Sequence, residues 1–172
     1  MENYQYFAHV TEETLLKYCK DIFMAAGMRE EDAACVADNL VFADCCGMES
    51  HGVIRVPAYT KRLQDHGTSA DAEICIEKDS PTTALVNGNN AMGQVVSTKA
   101  MKLCIEKAKE NGVAFVGVKG SNHFGMASYY SEMALPEDMI GMVFTSPAAH
   151  LMAPTGGIEP ILDNNPFSFA IP

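Results

Sequence analysis

Val113-Ala114-Phe115-Val116-Gly117-Val118, running into Lys119-Gly120-Ser121-Asn122-His123-Phe124-Gly125, is the stretch from which the fold of this chain can be read. A nearly continuous apolar run of this length predicts a central strand covered on both faces, the pattern of a sheet layered with helices. The polar, glycine-flanked segment that follows predicts a loop leading into a helix over 124–135. Main-chain amides in such a strand-to-helix loop can hold an anion. His123 lies within it and, taken alone, is as compatible with a structural hydrogen bond as with catalysis.

Working outward, Gln94 to Asn111 predicts a helix with Val95, Val96, Ala100, Leu103, Cys104 and Ala108 inward, ended by Gly112. Ala72 to Glu77 and Thr82 to Val86 read as strands, with Asn87-Gly88-Asn89-Asn90 as a turn. Met139 to Thr145 predicts a further buried strand, and Phe167 to Ile171 the last. The first seventy residues differ in texture. Thr11 caps a helix that starts with Glu12 and Glu13 and carries Leu15, Leu16, Cys19, Ile22, Phe23 and Ala26 at helical spacing up to Gly27. Glu30 to Cys46 repeats the pattern, with Ala33, Val36, Ala37, Leu40 and Val41 on one face and Gly47 as the stop. A third helix starts near Ile54 to Pro57, because proline suits a first turn, and runs to Asp65 before Gly67. The fold class is therefore α/β, with residues 1–70 as an N-terminal helical domain and 71–172 as the first part of an α/β domain.

Between the second and third helices lies Ser50-His51-Gly52, followed by Arg55, Pro57 and Tyr59. Histidine exchanges protons near neutrality, and a guanidinium matches a carboxylate as a two-pronged fork. A proton carrier and an anion clamp within five residues suit a small acid bearing a carbonyl or hydroxyl. Other arrangements compete with this one. For a Ser-His hydrolase, adjacent side chains should point apart, and no Gly-x-Ser-x-Gly elbow occurs. For a metal, His9, His51, His66, His123 and His150 form no His-x-x-x-His and no Cys-x-x-Cys accompanies them, so no metal ligand is assigned. On these six residues alone, a capping serine, a buried histidine and a surface arginine remain an adequate account.

Composition narrows the classes. The 172 residues are 48% apolar, enough for a sizeable core. A formal net charge of -10 argues against a nucleic-acid partner, which draws on clustered positive charge. No run approaches the roughly 20 apolar residues of a membrane span, and the opening MENYQYFAHV lacks a signal-peptide pattern, so a cytoplasmic protein without membrane association is expected. The six cysteines sit in apolar-periodic segments and read as free thiols, with Cys45-Cys46 packed in the core rather than redox-active. Nucleotide signals are incomplete. Gly88-x-x-x-x-Gly93 imitates a P-loop, but Gln94-Val95 stands where lysine and serine or threonine belong, and no Gly-x-Gly-x-x-Gly follows a strand.

Taken in order, Ala37-Asp38-Asn39-Leu40-Val41-x-Ala43-Asp44, Ser50-His51-Gly52-Val53-x-Arg55-x-Pro57-x-Tyr59, Ser121-Asn122-His123-Phe124-Gly125, Gly156-Gly157 and Asn165-Pro166 resemble the malate/L-lactate dehydrogenase family. These are NAD(P)-dependent oxidoreductases that include ureidoglycolate and sulfolactate dehydrogenases. The resemblance implies a mixed-sheet cofactor domain of non-Rossmann topology, in keeping with the missing glycine fingerprint. It implies NAD or NADP as cofactor, a 2-hydroxy or 2-keto acid as substrate, and a homodimer. Matched motif by motif, His51 resembles the proton donor and acceptor, Ser50 its orienting neighbour, and Arg55 and Tyr59 substrate contacts. His123 falls near substrate and nicotinamide, and His123, Phe124, Gly125, Met126 and Ala127 with Thr145 resemble cofactor contacts. Members are roughly twice as long, so the α/β domain is expected to be cut short at Pro172 and to leave apolar strands open. The alternative is a non-catalytic fragment that acts only in interaction or assembly.

Overall fold

The structure is a computed structural model and describes residues 9–146 and 151–172; His150 and the residues before His9 lie outside the described part. Three helices come first: α1 (Glu12–Ala25), α2 (Glu30–Cys45) and α3 (Val56–Gln64). Thr11 caps α1 as its spacing requires, its Oγ1 accepting the Thr14 N–H at 3.3 Å. Cys19 and Phe23 of α1 pack on Val36 and Leu40 of α2 and on Tyr59 and Leu63 of α3. Met92 and Val95 join the same core. They bring with them the start of α4 (Gly93–Asn111), so the helical part and the sheet share an apolar boundary.

A three-stranded sheet follows, with β1 (Cys75–Asp79), β2 (Thr83–Ala91) and β3 (Phe115–Ser121) in that order. β1 runs antiparallel to β2, and β3 runs parallel to it after the α4 crossover, with Val86 opposite Val118. Val86 and Ala91 pack against Val96 and Ala100 of α4. The helix α5 (Ala127–Glu132) then leads to an antiparallel ribbon of β4 (Gly141–Phe144) and β5 (Phe167–Ala170). This is the expected α/β class with a mixed sheet. No helix among the described residues is long and apolar enough to cross a membrane.

Several expectations need correction. The 113–118 stretch enters β3 only from Phe115, the strand runs on to Ser121 through residues expected in the loop, and it is an edge: β2 occupies the centre, and Phe115 is 66% exposed. The reason is that β4 pairs with β5 and does not extend the sheet beyond β3. The asparagine turn is instead part of β2, where Asn89 and Asn90 take positive φ and the register shifts between Asn87 and Ala91. Asparagine tolerates that backbone region, so its turn chemistry is spent on an irregularity within a strand. The helix over 124–135 shortens to α5, because Gly125 adopts φ +78° and Met126 is extended. Cys45 and Cys46, expected to be packed, are exposed free thiols just where α2 ends.

Candidate active site

Two crossings of the fold build the site. At the first, α2 stops and the chain makes two short 3-10 turns, Glu49–His51 and Val53–Arg55, joined at Gly52. The segment between α2 and α3 is thus tightly wound. Asp44, in the last turn of α2, holds it by accepting the Val53 N–H at 2.8 Å. Burial pushes the Asp44 carboxyl up from its ordinary value, opposed by that hydrogen bond. A Cβ on Gly52 would lie 1.8 Å from Asp44 Oδ1, so only glycine lets the carboxylate approach.

Ser50 Oγ lies 2.9 Å from His51 Nδ1, contrary to the expectation that these neighbours diverge. Three residues per turn set adjacent side chains about 120° apart, not on opposite faces as in a strand. The contact suits an orienting role; no carboxylate hydrogen-bonds His51 among the described residues to complete a hydrolase triad. Arg55 folds back so that its Nε donates to Ser50 O at 2.6 Å. Its terminal nitrogens carry no hydrogen bond or ion pair among the described residues, which leaves the fork available to an anion. Burial, and then the Arg55 charge, hold the His51 imidazole below its ordinary pKa.

The second crossing is the loop after β3. Its His123 ring sits 5.4 Å from the His51 ring, centroid to centroid. The Tyr59 hydroxyl is 2.6 Å from His123 Nδ1, and the Gly125 N–H reaches the same nitrogen at 3.3 Å. Burial and the neighbouring His51, Arg55 and Arg62 push the His123 pKa down to about 4. Tyr59 is buried, so its hydroxyl is turned to His123. Arg62 Nη2 donates to Asn122 Oδ1 at 3.0 Å, and Asn122 Nδ2 donates to Ala91 O at 2.9 Å, which ties the loop to α3 and β2. A shallow cleft is lined by Tyr59, Arg62, Thr68, Met92, Asn122 and His123.

Residues 124–127 continue from this loop. Phe124 stacks on Tyr130, with ring centroids 5.3 Å apart, and the Tyr130 hydroxyl donates to Phe124 O. Gly125 packs against α2: a Cβ there would lie 2.0 Å from Asn39 Oδ1. Thr145 directly follows β4 and donates its N–H to Pro166 O at 3.2 Å; no hydrogen bond joins it to the His123 loop. Ser50, His51, Arg55, Tyr59 and His123 therefore come together, with Phe124 to Ala127 beside them and Thr145 on the ribbon. No cluster of three or more potential metal ligands occurs among the described residues.

Sequence reasoning gave no role to Asn39, Asp44, Arg62, Gln94 or Asn122. Two of these left a signal. Asn39 interrupts the apolar face of α2 and is fully buried, and Gln94 is a buried amide at the start of α4. A polar residue within an apolar stripe marks a place where hydrogen bonding decides.

The family model described as malate/L-lactate dehydrogenase matches residues 10–172. The L-sulfolactate dehydrogenase of Methanothermobacter thermautotrophicus is 48% identical over 166 residues, which are 95% of this chain and 48% of that protein. The NAD(+) ureidoglycolate dehydrogenase of Escherichia coli K12 is 36% identical over 95% of this chain and 46% of its own length. The solved malate dehydrogenase of Pyrococcus horikoshii superposes with a TM-score of 0.93 at 42% identity, covering 96% of this chain and 47% of that one. The chain spans about half the length of the relatives it matches.

Proposed function

The chain belongs to the malate/L-lactate dehydrogenase family, and from that premise we propose that its site serves NAD(P)-dependent hydride transfer between nicotinamide and a small 2-hydroxy or 2-keto acid of the malate or lactate type. The observation that carries this reading is the meeting of His51 and His123, 5.4 Å apart, beside an arginine with free terminal nitrogens. Reducing a keto acid requires a hydride on carbon, a proton on oxygen and a grip on the carboxylate. Imidazole and guanidinium supply the last two and no side chain supplies the first, so the donor set fits a nicotinamide partner, held by the segment His123 to Ala127 with Thr145 as a further contact. When bound, the nicotinamide supplies the hydride.

His51 carries the proton to and from the substrate oxygen, with Ser50 orienting the ring through Nδ1. Its lowered pKa leaves it largely neutral at rest, ready to accept the proton of a hydroxyl group during oxidation. Arg55 takes the carboxylate with its terminal nitrogens while Nε stays on Ser50 O. Tyr59 contributes to the substrate pocket chiefly through its bond to His123. Residues 1–70 supply the proton and carboxylate contacts and 71–172 begin the cofactor-binding part. The exposed apolar side chains of β3, β4 and β5, such as Phe115, Phe144 and Phe167, support assembly as a homodimer. The six free thiols support a cytoplasmic setting.

The experiment is a panel of 2-keto acids with NADH and NADPH, run on a family-length form that contains this chain. His51→Ala should lower kcat by roughly a hundredfold or more, the scale for losing a general acid or base, and leave cofactor binding intact. Near-normal turnover of the variant rejects the assignment of His51, and no turnover of any keto acid rejects the reading of the site.

A further inference from the structure

The hydrogen bonds around His123 have a forced direction that leads back to Gln94. A main-chain N–H can only donate, and that of Gly125 points to His123 Nδ1. Nδ1 must therefore present its lone pair, and the Tyr59 hydroxyl on the same nitrogen must donate as well. The Tyr59 oxygen is then left to accept, and Gln94 Nε2 donates to it at 3.2 Å. Gln94 is fully buried on the first turn of α4, and its Oε1 has no hydrogen-bond partner among the described residues. Packing alone would favour an apolar side chain there, since a buried, unpartnered amide oxygen is unfavourable. What the amide offers in return is a donor aimed at Tyr59.

We propose that Gln94 is a positioning residue which, through Tyr59, locks His123 as the neutral tautomer protonated at Nε2, so that His123 gives a hydrogen bond to the substrate oxygen while His51 carries the proton. The role toward substrate rests on the dehydrogenase reading above; the lock itself does not. The groups facing the ring agree with it. Arg62 and Tyr59 from α3, with His51 and Arg55 from the 3-10 turns, surround it, and no carboxylate hydrogen-bonds either imidazole among the described residues. A further positive charge on the His123 ring is opposed there, in line with its depressed pKa. A parallel relay holds the next residue: the Phe124 carbonyl can only accept, so Tyr130 donates to it and Asn39 Nδ2 donates to Tyr130 at 3.3 Å. Both relays converge on the 123–125 segment, one through its imidazole and one through its main chain.

Long-range proton–nitrogen correlation spectra of the nitrogen-15-labelled 172-residue chain test the lock, with the His123 signals assigned by their loss in His123→Gln. The expected result at neutral pH is a bare Nδ1 and a protonated Nε2, with the ring staying neutral in mild acid. Gln94→Glu places an acceptor where the donor stood, so the Tyr59 proton turns to the carboxylate. His123 should then gain Nδ1–H character and titrate at higher pH. If that variant does not fold, Tyr59→Phe removes only the hydroxyl, leaving the longer Gly125 N–H contact alone to hold Nδ1 bare, and Nδ1–H character should rise. An Nδ1–H tautomer in the unsubstituted chain overturns the proposal, as do unchanged His123 signals in the folded variants. These spectra need neither substrate nor cofactor, so their failure is distinct from failure of the keto-acid panel.

Discussion

Replacing Gly125 by alanine tests how tightly the His123 loop is seated on α2. Two penalties combine at this position. The backbone sits at φ +78°, a region that costs an L-residue roughly 1–2 kcal/mol. The added Cβ would also lie 2.0 Å from Asn39 Oδ1, and Asn39 has little room to move, being fully buried and bonded to Tyr130. Overpacking of this kind costs about 1–3 kcal/mol. Gly112→Ala is the matched control, because its φ is +82° and nothing lies within 4 Å of a Cβ there. Both substitutions restrict the unfolded chain alike, by about 0.4–1 kcal/mol, so their difference isolates the clash. Thermal unfolding of the two variants should show Gly125→Ala lower by roughly 2–12 °C, at about 2–4 °C per kcal/mol for a chain of this size. Adding Asn39→Ala to Gly125→Ala should recover part of that excess, since the two side chains share one space. Equal midpoints for the Gly125 and Gly112 variants would refute the reasoning.

Other outcomes follow from the same geometry. Arg55→Lys in a family-length form should raise KM for keto acids about tenfold, the loss of one charge-assisted hydrogen bond at ~1.5 kcal/mol, with kcat less affected; steady-state kinetics with unchanged constants would make Arg55 a bystander. Asp44→Ala removes the acceptor of the Val53 N–H and should cost about 1–3 kcal/mol in urea unfolding, while Asp44→Asn keeps an acceptor and should cost less. Equal losses would show that the hydrogen bond does not hold the turn. Stability should fall as pH drops from about 6.5, the ordinary histidine value, toward about 4, where folded His123 titrates: across that window the unfolded chain binds the proton and the folded one does not. His123→Gln should flatten this part of the profile, and a profile that is unaltered by the substitution would remove His123 as its source.

What the sequence by itself determined is the local conformation. The apolar spacing Leu15, Cys19, Ile22 and Phe23, the Thr11 cap, and Gly112 beyond α4 each act within a turn or two of chain, and each appears in the fold as read. The Phe115 to Val118 part of the apolar run was legible as a strand for the same reason, since β-branched and aromatic side chains set the backbone wherever the strand lies. Its place at the edge was not legible, because sheet order depends on which strands meet across the fold. The motif residues of the candidate site could be picked out one by one, but their assembly could not. Tyr59 and His123 are separated by 64 positions and meet only because α3 and the loop after β3 pack against the same end of α4. The pairing of Ser50 with His51 turned on a 3-10 geometry that no short-range pattern announces. The direction of the hydrogen bonds around His123 is more remote still. It emerges only when Gly125, Tyr59 and Gln94 are brought together, because a hydroxyl and an imidazole each donate or accept according to the neighbours that the tertiary structure supplies.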